Sequence, residues 1–267
     1  MSEKRATREA YGETLIELVN EGHDIVVLDA DLAKSTTTGK FAKVYPERFL
    51  DVGIAEQNMI GIAAGLSMTG KTAFASSFGC FVANRAIDQI RVQVCYGNLN
   101  VKVVGTHGGI SVGEDGASHQ AMEEVATMSV LPNMTVFVPC DYVEAKKVVR
   151  AAALDVPGPA YIRLGREKFP IITSEDTPFV VGRAVTMRLG GDVTIIASGA
   201  LVCAALDAAV QLAGSGVDAR VLDIHTVKPI DAEAVVAAAK ETGAIVTAEE
   251  SQVHGGLGGA VAEVVCR

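Results

Sequence analysis

The sequence predicts an α/β fold made of two doubly wound, mainly parallel-sheet domains, and two observations support this prediction. First, 49% of the 267 residues are hydrophobic but only 5% are aromatic. Val, Ile, Leu and Ala dominate, as in parallel strands that helices cover on both faces. Second, apolar strand-like runs alternate with helical stretches of about 10 to 15 residues, which is the pattern of βαβ units.

The first series of alternating elements is expected to form a domain at residues 1–170. A polar segment at 31–40 is predicted to be a loop. The predicted helices lie at 7–20, 56–70, 80–95, 120–131 and 141–154, and the predicted strands lie at 24–30, 49–54, 72–78, 100–107, 134–139 and 160–166.

A segment rich in proline and charge interrupts the pattern near 167–185, so residues 171–185 are predicted to be a linker. A second domain is expected at residues 186–267. No turn or capping signal follows its last helix, so this domain is expected to be incomplete. Its predicted strands lie at 193–199, 218–224 and 244–250, and its predicted helices lie at 200–216, 231–243 and 255–266.

Composition excludes several classes of function. The net charge of −9 argues against a nucleic-acid or anionic-membrane surface. No apolar run reaches the roughly 18 residues of a membrane span, and the charged N-terminus does not resemble a signal peptide. The five cysteines are odd in number and widely spaced, which argues against disulfides and CxxC metal sites. We therefore expect a cytoplasmic protein.

Three loops that follow predicted strands carry most of the polar chemistry, at 31–38, 53–58 and 107–119. In open α/β sheets, ligands bind at the carboxyl ends of the strands. Glu56 is the only acid between Val52 and Thr72. An ordinary first-turn helical glutamate would explain it. However, the helix that follows is apolar or small on every face, which predicts burial on all sides. A partly desolvated carboxylate there could hydrogen-bond a heterocyclic nitrogen.

Phe78 and Phe81 are close together in an aromatic-poor chain, and they fit either core packing or a stacking platform for a flat ring. The segment 106–120 holds His107, His119, two acids and four glycines. A flexible surface loop and a metal site are both open for it, but the histidine spacing does not favour metal binding. Proton transfer and substrate hydrogen bonding suit such histidines better.

Arginine side chains suggest an anion site. Arg8, Arg163 and Arg166, together with His107, could form a phosphate clamp, because guanidinium presents a planar fork of donors. Each arginine alone would more often be solvated or ion-paired. The segment "HGGLGGAV" at 254–261 lacks the GxGxxG spacing, so it is a weak dinucleotide motif.

Four segments together resemble the C-terminal half of transketolase, a thiamine-diphosphate enzyme. They are "DVGIAEQNM" (51–59), "SSFGCF" (76–81), "THGGISVGEDGASHQ" (106–120) and "YIRLGR" (161–166). The resemblance covers nearly the whole chain and implies a pyrimidine-binding domain followed by the transketolase C-terminal domain. The pattern is similar to the separate C-terminal subunit of transketolases that are split into two chains.

The resemblance implies a cofactor site. Glu56 matches the glutamate that hydrogen-bonds N1′ of the aminopyrimidine, and Phe78 and Phe81 match the aromatic residues against which this ring packs. Asp31 matches a position beside the cofactor pocket. Glu56 and His119 would be the catalytic residues.

The resemblance also implies a sugar-phosphate site. His119 matches a histidine near the substrate hydroxyls, and Asp115 matches an aspartate that binds the C2 hydroxyl. The matches to phosphate-binding residues are Arg8, Ser35, His107 and Arg166. Arg163 has no match in transketolase itself. "THGG" replaces the commoner "THDS", Ala117 replaces a frequent proline, and Asn84 stands where tyrosine is frequent.

The family's GDG motif, followed by Asn, is absent from this sequence. The resemblance therefore implies an N-terminal partner subunit that binds the cofactor diphosphate and Mg²⁺ or a similar divalent ion, with no metal site in this chain. A homodimer or heterotetramer, and ketol transfer between sugar phosphates, are implied. Within thiamine enzymes, 1-deoxyxylulose-5-phosphate synthase and the β subunit of a 2-oxoacid dehydrogenase E1 remain alternatives. A non-catalytic assembly or regulatory subunit is the alternative from another class.

Overall fold

A computed structural model describes residues 3–267 of the chain. The strands are β1 (Lys4–Arg5), β2 (Ile25–Asp29), β3 (Phe49–Asp51), β4 (Thr72–Phe78), β5 (Val101–Thr106), β6 (Thr135–Phe137), β7 (Ala160–Arg163), β8 (Phe169–Pro170), β9 (Val185–Arg188), β10 (Val193–Ala197), β11 (Ala219–Asp223), β12 (Thr226–Lys228) and β13 (Ile245–Ala248). The helices are α1 (Thr7–Asn20), α2 (Ala33–Thr36), α3 (Thr38–Val44), α4 (Glu56–Ser67), α5 (Gly79–Arg85), α6 (Ile87–Gln89), α7 (Glu124–Ser129), α8 (Tyr142–Leu154), α9 (Leu201–Gly214), α10 (Ala232–Thr242) and α11 (Leu257–Val265).

The larger sheet has seven strands in the order β12-β6-β7-β5-β4-β2-β3. All its pairings are parallel except β12 with β6. Because parallel strands point the same way, β2, β3, β4, β5 and β7 end at one common edge. The fold class that the sequence predicts is therefore confirmed for this part of the chain.

Helices cover both faces of this sheet. Met59 and Ile60 of α4 pack with Val82 of α5 on one face, and Leu15 of α1 packs with Val148 of α8 on the other. All five side chains are fully buried. A sheet buried on both faces requires the nearly continuous apolar strands that the sequence shows, such as "IVVLD" in β2.

The smaller sheet has the order β13-β10-β11-β9, and only β9 is antiparallel to its neighbour. Helix α9 packs on one face, and α10 and α11 pack on the other. The Asp231 side chain caps α10 at its N-terminus, and Gly243 in the left-handed conformation follows its C-terminus. The second parallel-sheet domain predicted from the sequence is thus present.

Three elements differ from the sequence-based expectations. Residues 31–40 form the helical turns α2 and α3 because the Asp29 carboxylate accepts hydrogen bonds from Leu32, Thr36 and Thr38. The helix expected at 80–95 is divided into α5, α6 and a wide π-helical turn at Ile90–Cys95. The helix expected at 120–131 is reduced to α7.

Four further strands were missed because they depend on tertiary contacts. β1 and β8 pair with each other in a separate two-stranded sheet. β9 closes the edge of the smaller sheet, and β12, which follows β11 in the chain, pairs with β6 of the larger sheet. Short strands of this kind are specified by their partners rather than by local pattern. Within residues 3–267, none of the helices combines the length and apolar character needed to cross a bilayer.

Candidate active site

The common carboxyl edge of the larger sheet carries the candidate site. Phe78 at the end of β4 pairs in register with Thr106 at the end of β5. Asp29 and Asp51 end β2 and β3 in the same way. The loops and helix starts that follow these strands therefore meet at one edge, as expected for open α/β sheets.

Glu56 begins α4 and is only 3% exposed, as the sequence predicted. The expected burial of α4 on all sides is wrong, because Gln57, Asn58 and Gly65 of the same helix are exposed. The carboxylate of Glu56 accepts a hydrogen bond from Ser77 Oγ at 3.2 Å. Arg85 Nη1 lies 3.2 and 3.3 Å from its two oxygens. The buried charge is thus paired, which is the condition for its being tolerated.

Two phenylalanines and two histidines form a cluster of rings in the same site. The Phe78 and Phe81 rings stack with centroids 5.7 Å apart, and the His107 ring stacks on the Phe78 ring at 3.8 Å. His119 meets the edges of both phenylalanine rings, at 5.9 and 5.3 Å. The structure therefore brings four sequence-predicted site residues into one cluster.

Arg85 is a site residue that the sequence analysis missed. Its guanidinium carbon lies 4.0 Å from the centroid of the Phe81 ring, while its Nη1 donates to Glu56. A planar group with N–H donors thus occupies the space between a carboxylate and an aromatic face. The side chain is 47% exposed and lines an open depression with Ile54 and Ala55. No local sequence signal distinguishes it from an ordinary surface arginine.

His107 lies at the other end of the cluster and is 2% exposed. Its backbone has a φ of 58°, an unusual conformation for a bulky residue that often marks functional sites. Its Nε2 lies 3.2 Å from Arg8 Nη1, and its Nδ1 lies 3.0 Å from Thr106 Oγ1. Arginine can only donate, so Nε2 accepts and Nδ1 carries the proton.

The charge state of His107 follows from its surroundings. Burial, followed by the positive charges of Arg8 and Arg166, lowers the pKa of His107 to about 3. The ring is therefore neutral at physiological pH. A buried neutral imidazole flanked by two arginines leaves the positive charge of this region on the guanidinium groups.

Arg8 also donates to the backbone carbonyl of Ser35, at 2.8 Å. Burial is the main cause that lowers the pKa of Arg8, and the charge of Arg166 adds to it. Within residues 3–267, Arg8 forms no ion pair with a carboxylate. A guanidinium without a direct carboxylate partner, at the end of the row Glu56, Phe81, Phe78 and His107, is suited to an anionic group. We refer to this row together with Arg8 as the cleft.

Arg166 and Asp115 contact each other rather than remaining free. Arg166 Nη1 lies 2.8 Å from Asp115 Oδ2 and 2.6 Å from the carbonyl oxygen of Val112. Arg166 Nη2 also bonds to Glu114. The ion pairs with Glu114 and Asp115 raise the pKa of Arg166. These contacts link the loop at 107–119 to the end of β7.

The remaining predicted positions lie around the cleft. His119 Nδ1 is 2.9 Å from Ser118 Oγ. Asp31 is exposed, and its backbone N–H donates to Asp51 Oδ1 at 3.1 Å, which places it near the turn before Glu56. Arg163 is not part of the clamp, because its Nε forms a buried ion pair with Glu124 at 2.6 Å.

Among residues 3–267, one group of side chains lies close enough together to hold a metal ion, and it lies outside the cleft. It consists of Cys140, Glu144 and Asp223, all buried, with ligand atoms within 4.8 Å of one another. Burial and the neighbouring Glu144 raise the pKa of Asp223. Neither carboxylate oxygen of Asp223 has a hydrogen-bond partner among the described residues. The raised pKa favours the neutral acid, so burial of this cluster does not require an ion to balance its charge.

Comparison with known proteins identifies transketolase domains over almost the whole chain. The family model of the transketolase pyrimidine-binding domain matches residues 3–171. The family model of the transketolase C-terminal domain matches residues 182–267. A solved structure described as a split gene transketolase, inactive β4 tetramer, is 54% identical. Its TM-score is 0.90, and the match covers 98% of this chain and 85% of that one.

Two curated relatives are similarly close. A putative transketolase C-terminal section of Methanocaldococcus jannaschii is 49% identical over 98% of this chain and 82% of its own length. A 6-deoxy-6-sulfo-D-fructose transketolase subunit of Clostridium sp. is 46% identical over 98% of this chain and 81% of its own length.

The fold and the matched domains define a two-domain α/β protein of the thiamine-diphosphate-dependent transferases. The chain belongs to the transketolase family, and within that family it is similar to the C-terminal subunits of split transketolases.

Proposed function

We propose that this chain is the C-terminal subunit of a split transketolase. Together with an N-terminal partner subunit, it would transfer a two-carbon ketol unit between sugar phosphates, using thiamine diphosphate. The observation that carries the proposal is the contact of Arg85 with both Glu56 and the Phe81 ring. A flat group with nitrogen donors already fits between these two residues, so the flat aminopyrimidine of the cofactor fits there once Arg85 moves.

Each residue of the cofactor end has a definite task in this proposal. Glu56 binds N1′ of the aminopyrimidine, Phe78 and Phe81 stack against the ring, and Asp31 borders the pocket. Burial of Glu56 keeps water from competing for its carboxylate. Bound thiamine diphosphate supplies the nucleophilic carbon that accepts the ketol unit.

The substrate end carries groups that suit a phosphorylated sugar. Arg8, His107, Ser35 and Arg166 are proposed to bind the phosphate. The charge of Arg8 is proposed as the main attraction, because no carboxylate within residues 3–267 forms an ion pair with it. His119, at the edges of both phenylalanine rings, is proposed to transfer protons and to hydrogen-bond the substrate hydroxyls. Asp115 is proposed to bind the C2 hydroxyl.

The partner subunit is proposed to bind most of the cofactor diphosphate and the divalent ion, Mg²⁺ or similar. The absence of a GDG motif from the sequence supports this division. The relative solved as an inactive β4 tetramer supports the expectation that the chain alone is inactive. Assembly with the partner as a heterotetramer, or as a homodimer of paired chains, is proposed.

The Clostridium relative supports a second candidate substrate. Its description names a sugar that carries a sulfonate, which is anionic like a phosphate. Arg8 and Arg166 would bind either group. Pyruvate would be a donor only for the synthase-like or dehydrogenase-like alternatives. If the chain were a non-catalytic assembly subunit, substitution of Glu56 would leave the activity of the complex unchanged.

The test is reconstitution with the cognate N-terminal subunit. We expect the mixture, but neither chain alone, to transfer a ketol unit from xylulose 5-phosphate to ribose 5-phosphate. Pyruvate and 6-deoxy-6-sulfo-D-fructose are tested as alternative donors in parallel assays. Full activity of the single chain, or consumption of pyruvate in place of the ketose, would contradict the proposal.

A further inference from the structure

The segment that follows β13 contacts both ends of the loop that carries Asp115 and His119. Glu250 Oε1 accepts a hydrogen bond from the backbone N–H of Ser111 at 3.2 Å. At the other end, Ser251 Oγ and the Gln252 backbone N–H donate to the carbonyl oxygen of Met122, at 2.7 and 2.8 Å. Residues 250–252, which follow the last strand of the smaller sheet, thus contact both ends of the segment 111–122, which follows β5 of the larger sheet.

A buried arginine, Arg163, reinforces this contact through two hydrogen bonds. Arg163 Nη2 donates to the backbone carbonyl of Glu250 at 2.6 Å, and its Nε donates to Glu124 of α7 at 2.6 Å. Arg163 is 6% exposed and Glu124 is fully buried. A desolvated, paired guanidinium with two bonds to different elements holds them in fixed relative positions.

Two consecutive glycines of the loop are required by the same arrangement. A Cβ at Gly108 would lie 2.5 Å from Arg163 Nε, and a Cβ at Gly109 would lie 2.7 Å from both Arg163 Nη2 and Glu250 Oε2. Gly109 also has a φ of 85°, where side chains are strained. The "GG" of "THGG" therefore lets the loop pass against Arg163 and Glu250.

We propose that Glu250 and Arg163 are positioning residues through which the C-terminal sheet holds the substrate loop, residues 107–120, in its binding conformation. The C-terminal domain would then contribute to substrate binding as well as to assembly. The positioning itself concerns only the conformation of the loop, whereas its consequence for sugar binding rests on the proposed function.

The first test follows loop dynamics and needs no activity. Hydrogen exchange is measured on the reconstituted complex for wild type, Glu250→Ala, Glu250→Gln and Glu249→Ala. Glutamine keeps an oxygen that can accept from Ser111, whereas alanine does not. We expect Glu250→Ala to accelerate exchange at least 10-fold in peptides covering 107–122, with no change in peptides covering 56–67, and Glu250→Gln to stay near wild type.

Glu249 is the matched control because it has the same charge, precedes Glu250 and bonds elsewhere. Its carboxylate accepts from Leu257 and Gly258 at the start of α11. Glu249→Ala is expected to change exchange in α11 but not in the loop. Equal effects of both alanine variants on the loop, or an unchanged loop in Glu250→Ala, would overturn the proposal.

The second test separates substrate binding from cofactor binding. In the active complex, Glu250→Ala is expected to raise KM for the sugar 5- to 50-fold and, because the same loop carries His119, to lower kcat by a smaller factor. The half-saturating cofactor concentration is expected to change less than 3-fold. Glu250→Gln is expected to restore most of the KM. A fall in kcat with unchanged KM would contradict a role in positioning the substrate loop. If the wild-type complex were inactive, the proposed function would fail while the exchange experiment still decided the loop contact.

Discussion

The two ends of the cleft hold their charges in opposite ways. At one end, Glu56 is buried but neutralised by Arg85, a residue of the same chain. At the other end, Arg8 has no carboxylate partner within residues 3–267, and His107 beside it is held neutral. Under the proposed function, the cofactor ring would replace Arg85 as the partner of Glu56. The Arg8 guanidinium would already be available to the substrate anion.

Among the arginines and the histidine at the two ends, the largest effect is expected for Arg8. Arg8→Met should raise KM for the phosphorylated sugar by about 10- to 100-fold, because a charge-assisted hydrogen bond contributes about 1.5–3 kcal/mol. The kcat should fall much less. Steady-state kinetics of the complex measures both constants.

The matched control for Arg8 is Arg48→Met, since Arg48 also donates to a backbone carbonyl, that of Ile25, but lies outside the cleft. It should leave KM near wild type. Equal changes in both variants, or a loss of kcat alone for Arg8→Met, would show that Arg8 does not bind the substrate anion.

The neutrality of His107 predicts a pH dependence of stability. Its pKa of about 3 in the folded chain lies below the ordinary value of 6.5, so the unfolded chain takes up the proton first as pH falls. As pH falls from about 6.5 to about 3, the free energy of unfolding should decrease by about 1.4 kcal/mol per pH unit because of this residue. His107→Asn, which tolerates positive φ, should reduce the loss between pH 6.5 and 4.5 by about 2 kcal/mol.

Urea unfolding at the two pH values measures this difference. His23→Asn is the control, because the His23 side chain is 39% exposed. An acid-induced loss as large in His107→Asn as in wild type would mean that His107 is protonated in the folded chain, against its position between Arg8 and Phe78.

The smallest effect is expected at the other end. Arg85→Ala should lower the half-saturating thiamine diphosphate concentration of the complex about 2- to 5-fold, since a half-exposed ion pair contributes about 0.5–1 kcal/mol. Arg91→Ala is the control, because Arg91 is 63% exposed and pairs, among the described residues, only with Asp88. A rise in the half-saturating concentration would identify Arg85 as a cofactor-binding residue rather than a group that the cofactor displaces.

The sequence predicted the features that depend on local pattern. The parallel strands, the helix that begins at Glu56 and the burial of this carboxylate follow from apolar runs and one isolated acid. The resemblance to transketolase is confirmed by the matched domains. The ten site residues that it predicts lie in or around the cleft. Their roles remain proposals.

Other features depend on contacts between distant residues and could not be predicted from the sequence. The sequence predicts one long helix at 80–95, whereas α5 ends at Arg85. The contacts of Arg85 with Glu56 and Phe81 join distant positions, so the sequence does not reveal them. The contact of Glu250 with Ser111 joins residues 139 positions apart. The pairing of β12 with β6 is equally remote. Nothing in the local sequence around "THGG" shows that its glycines face Arg163.

The central claim is that the Glu56 carboxylate and the Phe81 ring form the seat of the cofactor's aminopyrimidine. The direct measurement is the kcat of the reconstituted complex with Glu56→Gln, compared with Glu233→Gln, a first-turn helical glutamate that is 82% exposed. We expect Glu56→Gln to lower kcat at least about 100-fold at saturating cofactor, because the acidic group acts on the reacting cofactor itself. Glu233→Gln should remain at the wild-type rate. A Glu56→Gln complex with wild-type kcat would contradict the account.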